Sequence, residues 1–84
     1  MSDAPHLILQ TSVGSEADAQ RLARLAIENR LAACVQIEPM QSIYSWQGEV
    51  QQEREWRLGF KTTSERLADL LAALKPAHPY ELPA

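Results

Sequence analysis

The chain has 84 residues, a mass of 9.4 kDa and a formal net charge of −3. That length holds one small domain over residues 1–84 and excludes a barrel or a typical two-domain enzyme. The acidic balance argues against a nucleic-acid partner, and the one cysteine, Cys34, excludes an internal disulfide framework and any CxxC metal or redox site. Hydrophobic residues make up 45%, but twelve of them are Ala, so the bulky apolar set fills one thin core layer. Domains of this size often rely on partner subunits. No apolar run approaches the roughly 20 residues that span a bilayer, so no membrane association is expected. The N-terminus lacks a basic region followed by an apolar block, and a cytoplasmic protein is expected.

Residues 1–4 are small and polar and are expected to fray. Residues 5–13 read as a short strand, an apolar run with β-formers stopped by Gly14. Ser15 is placed to cap a helix start, and Asp18 resembles the acidic member of a capping box. Over residues 16–30, Ala19, Leu22, Ala23, Ala26 and Ile27 recur at helical spacing, and Leu25 widens that face. An amphipathic helix with one buried side follows, ended by Asn29-Arg30.

Residues 32–37 are short, apolar and β-compatible, and Pro39 predicts a bulge or bend before the strand resumes at 42–46. Gln47-Gly48-Glu49 predicts a tight turn. Residues 50–62 then return, with Val50, Gln52, Arg54, Trp56, Leu58 and Phe60 on one face and mostly charged residues on the other. A hairpin this long projects beyond a small domain, and its apolar residues need a neighbour, which another subunit can supply. Thr62-Thr63-Ser64 offers helix caps, and Leu67, Leu70, Leu71 and Leu74 form the cleanest helical pattern in the chain. Pro76 is expected to stop that helix, and residues 77–84 form a proline-stiffened exit. The order β-α-β-β-α is an α+β, split βαβ arrangement without its fourth strand, so truncation at the C-terminus is expected.

The run Ser42-Ile43-Tyr44-Ser45-Trp46-Gln47-Gly48-Glu49, then Glu53, then Lys61-Thr62-Thr63, resembles the CutA divalent-cation tolerance family. So do Leu31-Ala32-Ala33-Cys34-Val35 and His78-Pro79-Tyr80-Glu81. The resemblance covers roughly residues 6–84 and rests on the order and spacing of these fragments together. It implies a ferredoxin-like fold, a homotrimer whose long hairpins pack between subunits, and a further strand and C-terminal helix beyond Ala84. It also implies binding of Cu(II) or another divalent cation, with no metal required for folding. Some members carry a cysteine near the end of the first strand and a His-His pair before the Pro-Tyr. The matching positions here are Gln10, Ala77 and His78, so His78 alone keeps a good metal ligand.

Imidazole suits Cu(II), and His78 is the candidate metal residue. Further donors would come from Glu53, Glu55, Glu81 or a neighbouring subunit. The structural alternative is a loop histidine that bonds a backbone group and positions Pro79-Tyr80. Cys34, between Ala33 and Val35, is expected to be a small buried hydrophobe. Tyr44, Trp46 and Trp56 lack the basic surroundings of a base-stacking platform, which favours core or interface packing. Glu53 and Glu55 share one side of a strand and are expected to be solvated or in ion pairs. One glycine in Ser12-Val13-Gly14-Ser15 falls short of a phosphate loop. His6 and His78 have no nucleophile beside them in sequence, and the chain is not expected to be an enzyme. Two other functions fit the same residues: a trimeric sensor binding a small molecule or anion at inter-subunit clefts, and an assembly module without ligand.

Overall fold

The computed structural model describes residues 6–79, in the order β1 (His6–Val13), α1 (Glu16–Glu28), β2 (Cys34–Trp46), β3 (Glu49–Thr63) and α2 (Ser64–Ala77). The expected frayed start at 1–4 and the exit from Tyr80 onward lie outside the described residues. The strands form an antiparallel sheet in the order β1-β3-β2, and both helices cover one of its faces. This is the α+β, ferredoxin-like arrangement that the element order implies.

The inward face follows from strand parity. Leu9, Thr11 and Val13 of β1 stand opposite Phe60, Leu58 and Trp56 of β3. Val35 and Ile37 of β2 stand opposite Phe60 and Leu58 from the other side. Alternation sends all of these toward the helices. Ala19, Leu22 and Ala26 of α1 and Leu70 and Leu74 of α2 close the core above them. The alanines let α1 approach the sheet closely, which is where the Ala-rich composition finds its use.

Ser15 caps α1 as expected, its Oγ accepting from the Asp18 backbone N–H at 3.1 Å. The Asp18 carboxylate bonds Arg21 at 3.2 Å, one turn further along the helix. At its other end α1 closes with Asn29 as C-cap. The Arg30 N–H donates to the Ile27 carbonyl (3.1 Å) and the Leu31 N–H to that of Ala26 (2.8 Å). That bond pair is a Schellman motif, and it requires the left-handed backbone seen at Arg30, with φ 57°. Ile27, expected on the buried face, is 44% exposed, because it stands about 100° around the helix from the buried Ala26, at the flank of that face.

The hairpin departs from expectation at Pro39. β2 and β3 hold one register from Cys34↔Lys61 to Trp46↔Glu49, with Pro39 paired to Trp56 and no bulge. β2 has no strand on its other side among the described residues, and a border strand tolerates a missing N–H. The turn is Gln47-Gly48, both at positive φ (50° and 79°), a two-residue type I′ connection that matches the strand twist. Pro76 likewise fails to stop its helix. α2 continues through Ala77 and closes with the His78 N–H bonded to the Leu74 carbonyl. Only the last turn is affected, so the proline removes little from the helix ladder.

The Cα radius of gyration is 14.1 Å, against about 12 Å for a compact chain of this length. The excess comes from the distal hairpin, which runs past the helices. Phe60→Ala should lower stability by about 3–5 kcal/mol, measured by urea unfolding at fixed protein concentration, because it empties the middle of the core. Gly48→Ala should cost about 1–2 kcal/mol through its left-handed backbone alone.

Candidate functional site

His78 sits where the end of α2 meets β1. Its backbone caps the helix, and its side chain lies beneath it, 9% exposed. Nε2 is 2.8 Å from the Thr11 hydroxyl, so a hydrogen bond joins the C-terminal end of α2 to the first strand. The expectation gave the imidazole a backbone partner, whereas this bond joins it to a side chain. Thr11 was legible as a polar residue between the inward-facing Leu9 and Val13, a position that has to find a partner when buried. Beside this pair, Arg21 Nη2 donates to the Ala77 carbonyl at 2.7 Å and ties α1 to the same helix end.

The three positions that match the family's metal ligands do not converge. Gln10 precedes Thr11 on β1, so alternation turns it to the sheet face away from the helices, where it is exposed. Ala77 contributes its carbonyl to Arg21. His78 is held on the helix side. Among the described residues no three of His, Cys, Asp and Glu come together as a metal-binding group. His6, at the opposite end of β1, is exposed.

Cys34 is exposed, contrary to the expectation of burial. Val35 and Ile37 take the inward positions of β2, and parity leaves Cys34 outward, opposite Lys61. Glu53 and Glu55 share that outer face, opposite Ser42 and Met40. The ion pair on the arm joins their neighbour Arg57 to its cross-strand partner Glu38. Nε and Nη2 both reach Oε1, at 3.1 and 2.9 Å. At this exposure such a pair is worth at most about 1 kcal/mol.

The aromatic residues divide. Trp56 packs against the core with the Arg54 guanidinium 5.4 Å from its ring centre. Tyr44 and Trp46 lie on the distal arm with Ile43 and Val50, all exposed. Parity sets Ile43 and Val50 on the helix side and Tyr44 and Trp46 on the outer side, so the arm carries exposed apolar side chains on both faces. No helix among the described residues is long and apolar enough to cross a membrane.

A ferredoxin-like domain with a projecting two-strand arm is thus the class that the fold defines. The sequence model of the family described as CutA1 divalent ion tolerance protein matches residues 7–84. The divalent-cation tolerance protein CutA of Thermus thermophilus is 43% identical over 77 residues, covering 90% of this chain and 75% of its relative. That of Thermotoga maritima is 37% identical over 78 residues, covering 93% and 77%. Among solved structures, CutA from Synechococcus elongatus is 46% identical, with a TM-score of 0.86 over 100% of this chain and 75% of that one. CutA1 from Ehrlichia chaffeensis is 30% identical, with a TM-score of 0.87 over 99% and 78%. The chain belongs to the CutA divalent-cation tolerance family. The names of these relatives describe tolerance of ions rather than a reaction.

The Thr11–His78 bond makes a direct prediction. Thr11→Val keeps the shape and removes the hydroxyl, and it should lower stability by about 1–3 kcal/mol, while Thr11→Ser should recover most of that loss. Urea unfolding of the two variants beside the parent protein measures it.

Proposed function

We propose that this chain acts in divalent-cation tolerance as a homotrimer whose hairpin arms pack between subunits. The observation that carries this reading is the set of large apolar side chains left exposed on both faces of the arm. Val50 is 78% exposed, Ile43 69% and Trp46 60%, on a ribbon only two strands thick. A two-stranded ribbon cannot bury its own faces and has marginal stability alone in water. Such a cluster is stable where neighbouring subunits cover it, and membership of the family supports three copies. Among the described residues the outer border of β2 has no strand partner and offers hydrogen-bonding groups for the same contact.

In this reading His78 is the chain's candidate contact for Cu(II) or another divalent cation. One imidazole does not make a selective site, and the described residues of one chain do not complete it. Metal binding therefore belongs to the assembly, with carboxylates of a neighbouring subunit as the natural further donors. To reach a metal through Nε2, the ring has to exchange its bond to Thr11, so ion binding and the anchoring of α2 compete. Metal plays no part in holding the core.

Two experiments test this. Sedimentation of the parent protein should give three times the 9.4 kDa chain mass, and Trp46→Glu with Val50→Glu should shift the protein to single chains. A monomeric parent would end the trimer reading. Titration of the metal-free protein with Cu(II), beside His78→Ala and His6→Ala and with Zn(II) for comparison, should show fixed-stoichiometry binding lost only in His78→Ala. Equal weak binding by all three proteins would remove His78 from the site.

A further inference from the structure

The end of the sheet remote from the arm holds a cavity of about 530 Å³. It opens between the C-terminal end of α1 and the N-terminal end of α2, over the start of β1. Among the described residues, Arg30, Lys61 and Arg66 line it, and no carboxylate does. The chain carries only eight Lys and Arg against eleven Asp and Glu. Gathering three of the eight around one cavity concentrates positive charge in an otherwise acidic protein. Among the described residues none of the three is in an ion pair. An anion entering the cavity would meet cations that these described residues leave unpaired.

Two further features point the same way. Thr63, the N-cap of α2, lies in the cavity wall, yet its hydroxyl makes no cap bond, and its buried oxygen lacks a partner. The first N–H groups of this 14-residue helix therefore go without a side-chain cap at the cavity, where the helix dipole favours negative charge. Arg30 occupies the left-handed position of the Schellman motif, which normally belongs to Gly or Asn. A long cationic side chain is thus held at a position where stability favours none, directly on the cavity. Leu7, Ile27 and Ala32 supply the apolar part of the wall. The volume lies within the roughly 300–1,000 Å³ of small-molecule sites.

We infer that this cavity binds a small organic anion, with a phosphate or carboxylate head held by Arg30, Arg66 and the start of α2, and an apolar body against Leu7 and Ile27. The site lies within one chain, at the end of the sheet away from the arm and apart from His78. It goes beyond the metal-tolerance reading and does not depend on it.

The test uses the whole chain in its native oligomeric state and four probes: phenyl phosphate, 3-phenylpropionate, its neutral amide and inorganic phosphate. Calorimetry gives affinities, and backbone amide NMR shifts locate the site. The two organic anions should bind saturably, with shifts gathered at residues 6–8, 27–33 and 61–66. The neutral amide and inorganic phosphate should each bind at least tenfold more weakly. Arg30→Gly should lose tenfold or more in affinity for the anions while its melting temperature holds or rises, since glycine suits the backbone there. Arg66→Gln should lose a comparable amount. Binding of the amide as tightly as the acid overturns the cationic site, and equal binding of inorganic phosphate overturns the apolar contact. Shifts gathered elsewhere, an unaltered affinity in Arg30→Gly, or no binding of either organic anion overturn the proposal as a whole.

Discussion

β3 is the one strand of the described sheet with a neighbour on each side, and its Leu58 and Phe60 are fully buried beneath both helices. Burial of these two side chains fixes the parity of the strand, since a shift by one residue would carry them to the outer face. β1 and β2 then inherit their inward faces through pairing with it. Leu9, Val13, Val35 and Ile37 are in the core because Phe60, Leu58 and Trp56 are. The helices close over the same patch, with the small side chains of α1 allowing the close approach. The polar features hang on this parity too: Thr11 faces His78, and Thr62 donates to the Leu31 carbonyl at 2.7 Å, because both lie on the core side.

Much of this was legible in the chain. Ser15 announced the start of α1, the leucine spacing announced α2, and Gln47-Gly48 announced the hairpin. These signals are local: a cap, a period and a pair of positive φ values act within a few residues. The two prolines misled because their effect depends on position in the finished fold. Pro39 lies on a border strand and Pro76 in a last turn, and in both places a missing N–H disturbs little. Cys34 misled for a related reason. Apolar neighbours suggested burial, whereas the parity set by β3 turned it outward.

The candidate sites were less legible. His78 could be picked out by residue type, but its partner Thr11 lies 67 residues away and is brought to it only by the packing of α2 against β1. The positions that match the family's metal ligands, Gln10, Ala77 and His78, say nothing in sequence about which way each side chain faces. On the folded chain, Gln10 and His78 are on opposite faces of the sheet. The basic cavity had no sequence signature at all. Arg30 follows the cap of α1, Lys61 lies on β3 and Arg66 on α2, and only the fold brings all three to one cavity.

The unbroken register of the hairpin carries a consequence for how the arm can change length. Every residue from Cys34 to Trp46 has a fixed opposite number on β3, and the two faces of the arm carry different side chains. A single residue removed from each strand would turn everything distal to it onto the other face. Removing two residues from each strand keeps every facing intact and draws the tip inward by about 7 Å. Without a bulge, the arm thus keeps its facing only when its length changes in steps of four residues, so its reach is quantised rather than continuous.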